Sequence, residues 1–220
     1  RRIYVAGHRG LVGSAVWRAL ERAGCQHLIG ASHAELDLTD RDATRAFFEL
    51  HAPEAVIVCA ATVGGIKANS TRPVDFLMNN LDIQNNVISS AHALDVSKLV
   101  FLGSSCIYPR DCPQPMSETA LLSGPLEATN RPYALAKIAG IELCWSYNRQ
   151  FGRRYVAAMP TNLFGPGDNY DLDGSHVLPA LIRRMHEAKL AAAPSVKLWG
   201  TGTPLREFLY SDDLAHALLY

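Results

Sequence analysis

Short continuous apolar runs alternate along this chain with longer segments whose apolar residues recur at helical spacing. Residues 3–6 form a first apolar strand, and a helix follows over about 11–23. Residues 27–30 read as a second strand, and residues 37–40 lead into and cap a helix over 42–50. Residues 55–61 are apolar throughout, as expected of a parallel strand buried on both faces. Pro73 opens a helix to about Asp95, with Val74, Leu77, Met78, Leu81, Ile88 and Ala91 on its apolar face. Residues 99–102 are the next buried strand. Residues 111–132, rich in Pro, Ser and Thr without periodicity, read as loop. A helix over 132–151 and a strand over 155–159 follow, and residues 160–167 break the pattern. A helix over 176–188, strands near 196–198 and 207–210, and a helix started by Ser211, Asp212 and Asp213 complete the chain. Strand and helix alternation of this kind makes an α/β protein with a doubly wound parallel sheet.

Gly7, His8, Arg9, Gly10, Leu11, Val12 and Gly13 lie between the first strand and the first helix. Glycines there permit a tight turn, close approach of backbone to a pyrophosphate, and tight helix–strand packing. The helix N-terminus offers free N–H groups to phosphates. The Gly-x-x-Gly-x-x-Gly spacing is one residue longer than the commonest dinucleotide fingerprint, but its place between strand and helix predicts a Rossmann-type dinucleotide site. Neither a carboxylate nor an arginine occupies residues 30–34, where the second strand would meet the adenosine ribose. Arg9 is the best cation on offer, which leans the prediction toward NADP.

Tyr133 and Lys137 stand four residues apart and so share one helix face. A lysine ammonium near the phenol would favour the phenolate and lower the tyrosine pKa, tuning Tyr133 for proton exchange with a carbonyl or alcohol oxygen. Ser104, Ser105 and Cys106 close a buried strand at its C-terminal end, the edge where ligands bind in such sheets.

Composition narrows the classes without choosing among them. The chain has 220 residues, 48% apolar and 19% charged, with zero formal charge. That suits a globular protein and gives no electrostatic pull toward nucleic acid or membrane. No apolar run is long enough to span a bilayer, and the start runs straight into a strand rather than a leader. Five cysteines at scattered positions suggest neither a disulfide framework nor a metal motif, and a reduced cytoplasmic setting is expected.

Together, residues 6–13, 63–66, 103–109, 132–140, 159–163, 199–200 and 206–208 resemble the extended short-chain dehydrogenase/reductases that act on nucleotide sugars. The likeness runs over essentially the whole chain, and Ser104-Ser105-Cys106-Ile107-Tyr108-Pro109 is its most specific part. It points to the branch that carries out NADPH-dependent 3,5-epimerisation and 4-reduction of a GDP-4-keto-6-deoxy-mannose. The resemblance implies that Cys106 and His176 are the base and acid that invert C3 and C5. It implies that Tyr133 protonates O4, that Ser104 hydrogen-bonds O4, and that Lys137 holds the nicotinamide ribose. NADP(H) would further contact Asp37 and Leu38, Ala60 and Ala61, Leu102, Gly103 and Ser105. The segment Pro160, Thr161, Asn162 and Leu163, with His176, would close over the coenzyme. Arg184, Trp199 and Arg206 would meet the GDP moiety. A homodimer through the helices at 74–95 and 133–151 is implied as well. Residues 1–160 would form the NADP-binding domain and 161–220 the start of a smaller substrate lobe, shorter here than in the family. On the residues alone, Cys106 reads first as a small buried apolar side chain and His176 as a helix-start residue. Another nucleotide-sugar epimerase or reductase of the same fold remains the alternative, as does a non-catalytic NADP-binding protein. The latter, however, has no need of Ser104, Tyr133 and Lys137 together.

Overall fold

The computed structural model of the chain describes residues 1–172, 174–198 and 200–220. Strands β1 (Arg2–Ala6), β2 (His27–Ile29), β3 (Ala55–Val58), β4 (Lys98–Leu102) and β5 (Tyr155–Ala158) make one parallel sheet, in the order β2-β1-β3-β4-β5. The chain leaves β1 in one direction for β2 and returns on the other side for β3. The crevice at the carboxyl ends of β1 and β3 is therefore the topological switch point, where such sheets bind ligands.

The period-two alternation of the strands decides which helices they face. Tyr4, Ala6, Val56, Val58, Leu99 and Phe101 share a core with α2 (Arg41–His51), α4 (Pro73–Ala93) and α5 (Arg131–Phe151). Val5 and Ile57 point the other way, onto Ala15, Val16, Ala19 and Leu20 of α1 (Leu11–Arg22) and Ala215 of α7 (Ser211–Leu219). Arg18 of α1 and Asp212 of α7 pair at 2.6 Å beside that core. Local signals set the helix ends: the Asp40 carboxylate accepts the Ala43 N–H at 2.9 Å to start α2, and Gly152, at φ 65°, ends α5 in the left-handed region.

Helix α5 sits close to both β4 and α4 because Gly140 lacks a side chain. A Cβ there would lie 2.5 Å from the Phe101 ring and 2.7 Å from Gln84 Oε1. Gln84 Nε2 donates to the Ala136 carbonyl at 2.7 Å, locking the turn of α5 that carries Tyr133 and Lys137.

Beyond β5 the structure departs from the expected elements. Residues 196–198 form no strand, and Leu198 is 55% exposed. The parallel partner of β7 (Phe208–Tyr210) is β6 (Asn162–Phe164), inside the stretch expected only to break the pattern. An extended apolar run becomes a strand only when a ladder partner satisfies its backbone, and β7 had already found one. A short helix α3 (Ile66–Thr71) was also unforeseen, and the 111–132 loop contains one 3-10 turn, Glu118–Ala120. Helix α6 (Val177–Leu190) runs one residue inside its expected start. Among the described residues no helix is long and apolar enough to cross a membrane.

Candidate active site

The glycine turn is a cradle with no room for a side chain at Gly7 or Gly13. Gly7 has φ 80°, and a Cβ on it would stand 2.8 Å from the Ala60 backbone nitrogen. A Cβ on Gly13 would fall 2.0 Å from the Gly7 carbonyl oxygen. The ends of β1 and β3 and the start of α1 thus converge backbone to backbone. Gly10 opens α1 with no side chain capping the first N–H groups, and a Cβ there would meet nothing nearer than 3.5 Å. The bare helix start and the backbone walls fit a pyrophosphate.

At the adenosine end, the His8 ring packs against Trp17 with centroids 5.2 Å apart. Glu35 Oε2 accepts both the Ser32 N–H and hydroxyl at 2.7 Å, and it lies close enough to Arg9 and His8 to feel their charge. Arg9, exposed on the turn, therefore has a carboxylate in its field. Asp37 accepts the Thr39 N–H at 2.9 Å and hydroxyl at 2.8 Å, which hold its carboxyl below the usual range. Asn86 of α4 donates to the Leu38 and Thr39 carbonyls at 3.0 Å, fixing this segment from beneath.

The chemically richest corner lies at the carboxyl end of β4. Ser104 caps a 3-10 turn, Ser105–Ile107, with its Oγ 3.5 Å from the Cys106 N–H. The Ser104 hydroxyl also lies close enough to the side chains of Tyr133 and Cys106 to favour their ionised forms. Lys137 is 3% exposed. Its Nζ donates to the Leu102 carbonyl at 2.8 Å and lies 4.7 Å from the Phe101 ring centroid and 5.8 Å from that of Tyr133. This corrects the expected arrangement, in which the ammonium lowers the tyrosine pKa. Burial, reinforced by Cys106, pushes the Tyr133 hydroxyl above its ordinary range, with only the Ser104 hydrogen bond opposing. Burial likewise raises the Cys106 thiol, against the pull of Ser104 and Lys137. Burial lowers Lys137 to about 8, with Cys106 and Cys59 opposing. Charged forms are penalised throughout the corner because it is dry. At neutral pH Tyr133 is a phenol with a proton to give.

The remaining expected residues lie in the stretch 161–220. His176 is the exposed residue at the start of α6, and Arg184 lies on the same helix. Arg206 is exposed, with Nη1 on the Leu205 carbonyl at 2.7 Å. Thr161 Oγ1 and Asn162 Nδ2 donate to the Glu207 carbonyl at 2.9 and 3.0 Å, tying residues 160–163 to the segment that follows Arg206. Trp199 lies outside the described residues. Among the described residues, no group of three or more His, Cys, Asp or Glu side chains could hold a metal ion.

Three residues join the site that sequence reasoning did not single out. Phe76, fully buried, stands edge-on to Tyr133 at 6.5 Å and 77°. Asn80 grips Thr62, accepting its N–H at 2.9 Å and donating to its carbonyl at 3.0 Å. Asn69 donates to the Gly64 carbonyl at 2.8 Å. A signal existed for Phe76 and Asn80. With Gln84 and Ile88 they recur every fourth residue of α4, placing two amides on a buried stripe.

With this geometry in place, comparison with known proteins is direct. The model of the NAD dependent epimerase/dehydratase family matches residues 3–220. The GDP-L-fucose synthase of Escherichia coli (strain K12) is 54% identical over 220 residues, covering 100% of this chain and 68% of that protein. GDP-L-fucose synthase 1 of Arabidopsis thaliana is 56% identical over 219 residues, covering 100% of this chain and 68% of that protein. Among solved structures, a GDP-L-fucose synthetase from Naegleria fowleri bound to NADP superposes with TM-score 0.89 at 34% identity, over 99% of this chain and 71% of that one. The switch-point cradle, the Ser104–Tyr133–Lys137 corner and a family match along nearly the whole length lead to one conclusion: the chain belongs to the NAD dependent epimerase/dehydratase family.

Proposed function

We infer that this chain carries out NADPH-dependent 3,5-epimerisation and 4-reduction of GDP-4-keto-6-deoxy-mannose to GDP-L-fucose. The observation that carries this reading is a thiol inside a reductase corner. Cys106 directs its N–H at the Ser104 hydroxyl, which also lies near Tyr133, and its thiol lies in the field of Lys137. A reductase alone has no use for that thiol, whereas inverting carbons beside a ketone needs a base. The relatives named as GDP-L-fucose synthases support the same substrate.

The glycine cradle would hold NADPH, Arg9 would be the cation for its 2′-phosphate, and the coenzyme would supply the hydride for C4. The substrate ketone at C4 makes the protons on C3 and C5 acidic. Cys106 removes the proton, Lys137 and Ser104 easing the ionisation that burial of its thiol opposes, and His176 delivers one to the opposite face. The hydroxyls of Ser104 and Tyr133 donate to O4 and stabilise the enolate. As C4 becomes an alcohol carbon, Tyr133 gives its proton to O4, and the Lys137 ammonium offsets the phenolate left behind. Arg184, Trp199 and Arg206 bind the GDP end, where guanidinium groups suit pyrophosphate.

Residues 1–160 form the coenzyme domain in this reading and 161–220 open the substrate lobe. Two chains associate through the outer faces of α4 and α5, where Val74 is 67%, Met78 48%, Leu135 44% and Trp145 39% exposed. The cytoplasm is the setting it calls for, since a catalytic thiol must stay reduced and all five cysteines are free.

The test follows NADPH absorbance as the full-length chain meets GDP-4-keto-6-deoxy-mannose, with NADH in parallel and Cys106→Ser alongside. NADPH oxidation that yields GDP-fucose, with Cys106→Ser losing the epimerised product, is the expected result. No oxidation with either coenzyme would remove the reductase reading.

A further inference from the structure

Residues 64–65 form a strap between the two lobes. A Cβ on Gly64 would lie 3.1 Å from the Phe76 ring, the same ring that stands edge-on to Tyr133 at 6.5 Å. A Cβ on Gly65 would lie 3.2 Å from the Ser175 carbonyl oxygen, one residue before His176. One side of the strap therefore touches the packing around Tyr133, and the other touches the turn that carries His176. Both glycines are tied down by a single side chain. Asn69, 5% exposed, donates through Nδ2 to the Gly64 carbonyl at 2.8 Å and the Gly65 carbonyl at 3.2 Å. Its own N–H also donates to the Gly65 carbonyl at 3.1 Å. Its Oδ1 is buried and meets no partner among the described residues.

We propose that Asn69 is a positioning residue for epimerisation: by fixing the Gly64 and Gly65 carbonyls it sets the strap against which the Ser175–His176 turn rests, and so sets where His176 stands relative to Cys106. The proposal builds on the reading of His176 as the epimerisation acid. His176 is exposed and starts its helix with no side-chain cap of its own. Its placement depends on what its turn leans on. Gly65 has φ −67°, a conformation open to any residue, so its lack of a side chain serves the close approach to Ser175 rather than the backbone.

The experiment separates the half-reactions in the full-length chain. Wash-in of deuterium at C3 and C5 reads proton exchange, the ratio of epimerised to merely reduced sugar reads delivery to the opposite face, and NADPH titration reads the coenzyme site. Asn69→Leu should keep NADPH affinity within about two-fold and lower the epimerised fraction at least ten-fold. Adding it to His176→Gln should cause no further loss, since both act through one group. Gly65→Ala, which leaves the Asn69 bonds intact but puts a methyl against Ser175, should lower the same ratio. It serves in place of Asn69→Leu if that variant does not fold. Losses that add in the double variant, or a drop in epimerisation matched by an equal drop in reduction, would overturn the proposal and leave His176 as the acid. An unaltered product ratio in His176→Gln alone would remove the acid assignment itself, and the proposal with it.

Discussion

The Lys137 ammonium is bonded to the Leu102 carbonyl at 2.8 Å and lies over the Phe101 ring, both in β4. Lys137 is thus anchored to the strand whose end carries Ser104 and Cys106. Its burial lowers its pKa to about 8, against an unfolded value near 10.5. Between those values the unfolded chain binds more protons than the folded one, so this group makes stability rise with pH across the window. The melting temperature of the native protein, relative to Lys137→Met, should climb from pH 8 to 10. Turnover should do the opposite, because the ammonium is what offsets the phenolate. The free-enzyme kcat/KM should fall above about pH 8, and Lys137→Met should cost roughly 10²-fold or more at pH 7.

Tyr133→Phe removes the proton donor but leaves Cys106 and His176 in place. NADPH oxidation should fall roughly 10²–10⁴-fold, the range for a lost general acid. Deuterium wash-in at C3 and C5 should continue. A variant that lost both equally would place Tyr133 in the epimerisation step as well.

Gly13→Ala would put a methyl carbon 2.0 Å from the Gly7 carbonyl. The contact is backbone, so it can be relieved only by opening the cradle. NADPH binding, followed by titration, should be lost or severely weakened, and overpacking should cost about 1–3 kcal/mol of stability in a denaturant melt.

Away from the site, Arg153 Nε donates to His92 Nδ1 at 3.0 Å, and the His92 ring packs between Tyr147 and Phe151 at 4.6 and 4.4 Å. Burial first, and the Arg153 charge second, lower the His92 pKa below its ordinary value. A histidine held neutral contributes stability that is present above the unfolded pKa near 6.5 and lost as pH falls through the lower folded value. The native protein should therefore lose melting temperature between pH 7 and 5 faster than His92→Gln does.

Leu135→Glu or Met78→Glu places a charge on the outer face of α4 and α5, where these residues are 44% and 48% exposed. If that face joins two chains, either variant should sediment as a monomer at micromolar concentration while melting close to the native protein. An unchanged dimer would move the interface elsewhere.

Much of this was legible in the sequence for physical reasons that are local. Short continuous apolar runs bounded by turn residues read as strands, so β1, β3, β4 and β5 were readable. Asp40 announced α2 and Pro73 announced α4. Gly7 and Gly13 were readable because a strand–turn–helix leaves few other uses for glycine, and Tyr133 and Lys137 because helical spacing alone puts them on one face. The partner of β7 was not readable, since a three-residue strand is chosen by what lies beside it. Nor were the protonation states. Whether Lys137 lowers the Tyr133 pKa, or burial raises it, depends on where an ammonium with four rotatable carbons settles, and the Leu102 carbonyl took it. The chain's own order of residues determined the sheet, the cradle and the set of reactive groups. Only the tertiary structure decided that Ser104 would sit beside both a thiol and a phenol, and that Gly64 and Gly65 would lie against Phe76 and Ser175. Those relations join residues tens of positions apart, and no periodicity records a distance across folded chain.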